Sequence, residues 1–224
     1  MSFRTLKKEV FNLLNREDFA DILPRFSHMS ARQVINPLFS FLYHTDDVVR
    51  WHAVSAMGFV TAALAEKDME SARIIMRRLI WNLNDESGGI GWGSPEAMGD
   101  ICARSPLLSR EFAKILVSYS LPDGNFLEHE VLQRGLLWGL YRLSESDPLI
   151  SQDATPHVRK FLYSQDPYHL GLATSYAGCI KDTKALPLIE TLTGNRSVIS
   201  HYARLRVTPV TVGELARDAI AAIR

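Results

Sequence analysis

The chain has 224 residues, of which 46% are hydrophobic and 22% charged, and its 25 basic residues balance its 25 acidic ones. This composition is that of a globular protein and excludes a disordered, collagen-like or low-complexity chain. A net charge of zero argues against a broad nucleic-acid-binding surface. The two cysteines, Cys102 and Cys179, form no motif and indicate a reduced, cytoplasmic protein. No stretch predicts a signal peptide or a membrane span.

The predicted elements are helices throughout the chain. Apolar residues at helical spacing predict an N-terminal pair within residues 5–28, followed by pairs at 31–65, 69–104, 107–145, 149–181 and 184–224. Helix starts are predicted at Ser94-Pro95, Thr155-Pro156 and Asp166-Pro167, and a capping box at Thr211–Glu214. No segment alternates with a period of two between hairpin turns, so no strand is predicted.

Glycine recurs at one phase of this pattern. Gly58, Gly99, Gly139 and Gly178 are separated by 41, 40 and 39 residues, and the next step falls on Ala219. Glycine costs a helix interior about 1 kcal/mol relative to alanine, so its repetition needs a cause. We expect that the missing Cβ lets neighbouring helices approach closely. A period of about forty residues is typical of HEAT and armadillo repeats, which stack helix pairs into a superhelix.

Two segments resemble known repeats. Asp46–Gly58 (DDVVRWHAVSAMG) resembles the second helix of a HEAT-like repeat of the phycobilisome-lyase type, and Asn82–Gly99 is similar to small uncharacterised bacterial HEAT-like proteins. With the period, this resemblance implies an all-α superhelix of five to six helix pairs. We predict a single domain over residues 1–224, with a capping pair at 1–30 and a capping repeat at 184–224. The resemblance implies no activity, since unrelated binders share the repeat.

The first candidate binding segment is glycine-rich. Residues 85–93 contain four glycines, in a connection that otherwise needs only a short turn. Such a loop could cradle an anion, or it could simply admit Trp92 and tight packing, and Trp92 itself is expected in the core. Asp85 and Glu86 are predicted rim charges. Glu96 and Trp92 are predicted binding residues, because Glu96 belongs to a partly polar row, with Ser55, that should line the concave face.

The second candidate segment occupies the corresponding place in the next repeat. Asp123, Asn125 and Glu128 lie in a predicted turn that should share an edge with the first segment. Arg134, in the helix that follows, is predicted to contribute to binding. The eight residues together predict a surface for a protein or peptide partner. Neither a metal site nor a cofactor is predicted, because the sequence lacks the spacings that such sites use.

Enzymatic alternatives remain open at this stage. They are a small HEAT-like lyase or isomerase acting on a bulky cofactor, and a DNA base-excision glycosylase. The sequence has no H-E-x-x-H motif, no G-x-S-x-G motif and no recognisable cysteine nucleophile, so no catalytic residue is predicted. An acidic central region disfavours DNA binding. The prediction is therefore a non-enzymatic scaffold that binds through its concave face and the edge loops of its second and third repeats.

Overall fold

The computed structural model describes residues 3–84 and 91–224. The helices are α1 (Phe3–Leu14), α2 (Phe19–Ile22), α3 (Ala31–Phe41), α4 (Asp47–Ala65), α5 (Met69–Asn84), α6 (Ser94–Arg104), α7 (Pro106–Ser118), α8 (Glu130–Ser146), α9 (Thr155–Val158), α10 (Pro167–Cys179), α11 (Leu186–Thr191) and α12 (Val212–Ile223). Short 3-10 helices cover Leu23–His28, Gln152–Ala154 and Arg159–Tyr163. The two described strands are β1 (Val198–Ala203) and β2 (Arg206–Thr211).

The longer helices form two layers. Helices α4, α6, α8, α10 and α12 pack side by side in that order and make the inner layer. Helices α3, α5, α7 and α11 make the outer layer, each packed against the inner helix that follows it in the chain. Each pair buries its apolar face against the next pair, as in a solenoid. The predicted all-α superhelix is confirmed.

The recurring glycines lie where neighbouring inner helices touch. Gly99 of α6 contacts the backbone of Gly139 of α8, and a Cβ added at Gly139 would stand 2.6 Å from the carbonyl oxygen of Pro95. A Cβ at Gly178 of α10 would stand 2.8 Å from Cα of Ala219 in α12, the residue at which the period next falls. Side chains at these positions would separate the helices. The expected close approach is confirmed.

Two predicted helix starts are confirmed by their hydrogen bonds. Asp166 accepts a hydrogen bond from the backbone N–H of Tyr168 (2.9 Å), and Thr211 and Glu214 form the capping box of α12. The predicted cap at Ser94 is wrong, because Gly93 occupies that position with φ at +77°. A Cβ at Gly93 would lie 2.5 Å from the carbonyl oxygen of Leu42, so the chain can turn into α6 only at a glycine.

The predicted cap at Thr155 is also wrong by one residue. Ala154 precedes α9, and the 3-10 helix Gln152–Ala154 runs directly into it. The backbone is therefore already helical before Thr155, so its side chain has no isolated helix start to cap. Its hydroxyl instead lies 3.2 Å from the hydroxyl of Tyr176.

A β-hairpin stands where the sequence predicted only a helix pair. Strands β1 and β2 are antiparallel, with Tyr202 opposite Val207 and Ala203 opposite Arg206. The two turn residues, Arg204 and Leu205, have φ of +51° and +62°. Two-residue hairpin turns of this kind normally contain glycine or asparagine, so the sequence lacks the usual signal. The absence of strands was therefore a wrong prediction for residues 198–211.

The hairpin lies across the inner layer of helices. At its base, Ile199 packs against Gly171 of α10. Near its tip, Tyr202 stacks on Trp51 of α4, with ring centroids 4.9 Å apart. The backbone carbonyl oxygen of Tyr202 also accepts a hydrogen bond from the indole N–H of Trp138 in α8 (2.9 Å). The face that was predicted to be open and concave is thus bridged by the chain itself.

Helix α4 is the longest of the described helices and is mostly buried. Among the described residues, it is the one helix long and apolar enough to cross a membrane by length and composition. It packs against α3, α5 and α6, and 67% of its most apolar window lies inside the fold. Its apolar character is accounted for by this position in the core.

Candidate functional site

Two of the cavities beside the hairpin each contain a buried carboxylate of α6. The Glu96 cavity has a volume of about 210 Å³ and is lined by Arg50, Trp51, Glu96, Arg134, Tyr168 and Tyr202, among others. The Asp100 cavity has a volume of about 260 Å³ and is lined by Ser55, Asp100, Arg104, Arg142, Glu145 and Arg204, among others. Tyr202 and Trp138 line both cavities and separate them. Each cavity takes its name from a buried carboxylate of α6.

Glu96 lies in the first turn of α6 and is only 5% exposed. Its carboxylate rests against Gly135 of α8, where a Cβ would stand 2.5 Å from Oε2. Arg50 of α4 is the nearest cation, with Nη1 3.9 Å from Oε1, which is beyond hydrogen-bond distance. Oε2 has no hydrogen-bond partner among the described residues. Burial raises the pKa of Glu96, and the charge of Arg50 offsets part of that effect.

Asp100, one turn further along α6, has the opposite surroundings. It is 1% exposed, and its carboxylate rests against Gly58 of α4. Arg104 Nε donates to Oδ2 (2.6 Å) and Arg142 Nε donates to Oδ1 (2.8 Å). Both carboxylate oxygens are therefore paired with guanidinium groups. The same helix carries one buried carboxylate that is fully paired and one that is not.

Aromatic side chains form much of the wall of the Glu96 cavity. Trp51 and Trp138 contact each other, with ring centroids 4.7 Å apart. Tyr202 packs against both of these rings, and its hydroxyl lies 2.8 Å from that of Ser55. The Tyr168 hydroxyl accepts a hydrogen bond from the backbone N–H of Ser200 (3.2 Å), which joins α10 to the hairpin. These contacts connect the wall residues of α4, α8, α10 and the hairpin to one another.

The two arginines of the Glu96 cavity have acidic partners of their own. Arg50 donates to Asp47 (2.8 Å), and its guanidinium lies 5.1 Å from the ring centroid of Trp51. Arg134 donates to Asp166 (2.6 Å), and its guanidinium lies 5.0 Å from the ring centroid of Tyr168. Both are held by a carboxylate and an aromatic face. Among the described residues, Glu96 is left with only the 3.9 Å contact to Arg50 as an ion pair, and its Oε2 atom has no hydrogen-bond partner.

A third cavity, of about 390 Å³, lies beside the 121–128 turn. Its lining includes Phe126, Glu130, His157, Lys160, Phe161 and His169. His169 Nδ1 lies 3.1 Å from the hydroxyl of Ser164, and its Nε2 lies 3.6 Å from Asp166. The Ser164 oxygen accepts a hydrogen bond from the backbone N–H of Asp166 (3.1 Å), so these groups hold the start of α10. Burial lowers the pKa of His169.

The structure brings together two of the sequence-predicted binding residues. Glu96 and Arg134 line the same cavity, although Glu96 and its row partner Ser55 lie beneath the hairpin rather than on an open face. Trp92 is 44% exposed and does not line the cavity, so the expectation that it is a core residue is wrong. It lies outside because the left-handed turn at Gly93 directly follows it.

The remaining predicted residues lie elsewhere. Asp123, Asn125 and Glu128 are exposed in the turn after α7. This turn is held to the end of α7, since Asn125 donates from its backbone N–H to the Ser118 carbonyl oxygen (3.1 Å). Asp85 and Glu86, and with them most of the glycine-rich loop, lie outside the described residues.

Sequence reasoning missed several residues of the Glu96 cavity. Arg50 directly precedes Trp51 on α4, so a search for charged residues beside the recurring tryptophan position could have found it. Tyr168 follows the predicted start of α10, and a search of the first turns of the predicted helices could have found it. Nothing in the local sequence indicates Tyr202, because it enters the cavity through the unpredicted hairpin.

The unpaired carboxylate predicts a pH-dependent stability. The pKa of Glu96 is raised in the folded protein. In the unfolded chain, this glutamate has the ordinary pKa of about 4.3. Above that pH, the unfolded chain has therefore released a proton that the folded protein still holds. Stability from this group is therefore present below that pH and is lost as the pH rises through the raised pKa. We expect Glu96→Gln to raise the free energy of unfolding by about 1–2 kcal/mol at pH 7, and by almost nothing at pH 4.

Urea unfolding of both chains between pH 4 and pH 8 measures this difference. The other titrating groups are common to the two chains, so their contributions cancel. A variant that is less stable than the parent at pH 7 would show that Glu96 has a stabilising partner, and the description of this carboxylate as unpaired would be wrong.

Comparison with known proteins supports the fold. No protein-family model matches this chain. An uncharacterised protein of Archaeoglobus fulgidus is 32% identical over 120 residues, which cover 54% of this chain and 57% of that protein. The chain thus matches little more than half of the length of that relative.

Solved structures match over nearly the whole chain. The designed armadillo repeat protein YIII(Dq)4CqI has a TM-score of 0.53 and 16% identity, covering 96% of this chain and 99% of its own. A designed armadillo repeat protein in complex with peptide (KR)4 has a TM-score of 0.52 at 16% identity, with 96% and 98% covered. An engineered protein has a TM-score of 0.54 at 14% identity, with 100% and 97% covered. The chain has an armadillo-like helical repeat fold.

Proposed function

We propose that this protein is a non-enzymatic repeat scaffold that binds a protein or peptide partner at the Glu96 cavity. The observation that carries the proposal is an aromatic-walled cavity of about 210 Å³ that contains a buried carboxylate, of which the Oε2 atom has no hydrogen-bond partner among the described residues. Ligand sites in proteins typically combine apolar walls with a few convergent polar groups. Stacked repeats hold such a site in place before the partner arrives, so little ordering is needed on binding.

The hairpin defines how a partner can approach. It covers the middle of the inner face, so a partner chain cannot lie along the whole row of inner helices as it could in an open solenoid. The Glu96 cavity remains accessible at its rim, where the side chain of Asp47 is 45% exposed and Val131 is 37% exposed. We therefore place the partner at the N-terminal ends of α4 and α8, with a side chain reaching inward.

The fold comparison supports the kind of partner. A designed armadillo repeat protein of the same fold is in complex with a peptide. We also propose that the present chain is a cytoplasmic protein and that its partner is a peptide or protein. Its reduced cysteines and its net charge of zero support this proposal. The phycobilisome-lyase-type resemblance of residues 46–58 stays a prediction about the type of repeat.

The other acidic residues give little support to the enzymatic alternatives. In the Asp100 cavity, both Asp100 and Glu145 are bound by Arg142, at 2.8 and 3.2 Å. Carboxylates held in this way form an ion-pair network, whereas a general acid and base need different protonation states at the working pH. The buried thiol of Cys102 has its pKa raised to about 12, which does not suit a nucleophile.

Blocking the cavity is expected to weaken peptide binding. Val131 lines the rim, and its exposure leaves room for the substitution Val131→Trp without disturbing the core. Peptides selected on the wild-type protein from a random displayed library should bind Val131→Trp at least tenfold more weakly, because the indole occupies the space that a partner side chain needs. Fluorescence anisotropy with the selected peptides measures the loss.

Leu149→Trp is the matched control. Leu149 is 70% exposed and lines none of the three cavities described above, so the same bulky residue there should leave the affinity unchanged. Peptides that bind both variants as tightly as the parent would place the binding surface elsewhere. If the library yields no peptide that binds the parent protein, the proposed peptide-binding function fails.

A further inference from the structure

The two buried carboxylates of α6 provide an internal comparison. Asp100 and Glu96 are one helical turn apart, each is at most 5% exposed, and each rests against a glycine of a neighbouring inner helix. Asp100 has two guanidinium donors at 2.6 and 2.8 Å. Glu96 has a single cation at 3.9 Å and an Oε2 atom without a partner among the described residues. Buried charges in proteins are normally paired, so Glu96 departs from the rule that its neighbour obeys.

The cations already present do not complete the pairing of Glu96. Arg50 is bound to Asp47, and Arg134 is bound to Asp166. The cavity is therefore not a cationic site with spare guanidinium groups, and an anionic ligand would be repelled by Glu96. A cationic ligand would instead supply the donors that Oε2 lacks.

The walls of the cavity also suit a cation. The guanidinium groups of Arg50 and Arg134 already lie over the faces of Trp51 and Tyr168, about 5 Å from the ring centroids. Aromatic faces attract cations through the ring quadrupole, and this attraction is stronger where water is excluded. A second aromatic pair, Trp138 and Tyr202, lines the same space.

The size of the cavity limits the ligand. Its volume of about 210 Å³ corresponds to roughly seven water molecules at about 30 Å³ each in the liquid. That space accommodates one long side chain but no folded segment. A lysine or arginine side chain combines an apolar stem for the aromatic wall with a charged end for the carboxylate.

We propose that the Glu96 cavity receives a single basic side chain, lysine or arginine, from the partner, with Glu96 as its counter-ion. This inference rests on the proposed function, since it names the side chain that the peptide site selects. Glu96 then determines specificity, and the fixed ion pairs Arg50–Asp47 and Arg134–Asp166 shape the rim. A neutral or acidic side chain in the same place would leave the carboxylate unpaired.

A positional-scanning hexapeptide library tests the inference on the full chain. Lysine or arginine should be selected at one position, and replacing that residue by norleucine should weaken binding at least tenfold. Glu96→Gln should weaken binding of the basic peptide by a similar factor but leave binding of the norleucine peptide unchanged. The reason is that Glu96→Gln in the protein and norleucine in the peptide each remove the same ion pair. The matched control is Glu17→Gln, which removes an exposed carboxylate between α1 and α2, outside the three cavities described above, and should leave both affinities unchanged.

The outcomes separate this inference from the proposed function. If peptides bind and Val131→Trp blocks them, but no basic residue is selected and Glu96→Gln has no effect, the basic-side-chain inference is wrong and the peptide site stands. Equal weakening by Glu96→Gln and Glu17→Gln would show a general charge effect and would also overturn the inference. If no peptide binds, the proposed function itself fails. A thermal melt of Glu96→Gln at or above that of the parent shows that lost binding is not lost folding.

Discussion

Replacing Tyr202 by alanine is expected to lower the free energy of unfolding by about 3–5 kcal/mol, the usual cost of truncating a buried aromatic side chain. Tyr202 is 3% exposed and stacks on Trp51. Its side chain contacts Trp51 and Ser55 of α4 from the hairpin tip, so its loss should loosen the hairpin on the inner layer. Urea unfolding, with hydrogen exchange of residues 198–211, measures both effects.

Tyr202→Phe is the control for this prediction. It keeps the ring and removes only the hydroxyl that lies 2.8 Å from Ser55, so a loss of about 1 kcal/mol is expected. Equal losses for the alanine and phenylalanine variants would show that the hydrogen bond, and not the stacked ring, holds the hairpin. Unchanged stability of Tyr202→Ala would contradict the view that the hairpin is an integral part of the fold.

Replacing Gly99 by alanine is expected to cost about 2–3 kcal/mol, because overpacking a tight contact forces the backbone to shift. The added Cβ would overlap with the Cα atom and the carbonyl oxygen of Gly139, and backbone atoms cannot move aside as a flexible side chain can. Helices α6 and α8 would have to separate at the centre of the inner layer. Denaturant unfolding measures the loss.

Gly194→Ala is the matched control for Gly99→Ala. A Cβ at Gly194 would meet no atom within 4 Å, and the residue lies outside the helices. The same chemical change is therefore expected to be neutral or slightly stabilising there. If Gly99→Ala behaved in the same way, the close contact between α6 and α8 would not be the cause of the recurring glycines.

The hairpin and Glu96 have opposite consequences for stability. Tyr202 stabilises the fold by closing the inner face, whereas Glu96 is expected to destabilise it at neutral pH, since its carboxylate is buried without full pairing. Groups that cost stability are often retained for function. The expected gain in stability of Glu96→Gln, together with its expected loss of binding, would separate a functional role from a structural one.

The inner layer of helices in this protein could be predicted from the sequence alone. The glycine period and its continuation at Ala219 follow from contacts between helices that repeat at a constant interval, and helix periodicity is a local property. Asp100 and Arg104 stand four residues apart on one helix, so that ion pair could also be read from the chain.

Only the tertiary structure decided what covers the inner face and which carboxylate remains unpaired. The second guanidinium of Asp100 comes from Arg142, 42 residues away, and the Glu96 cavity is closed by Tyr202, more than a hundred residues from Glu96. The hairpin that carries Tyr202 turns at Arg204 and Leu205, two residues that favour no such turn by themselves. Its packing against α4, α8 and α10 stabilises that turn, and packing between distant segments leaves no periodic pattern in a sequence.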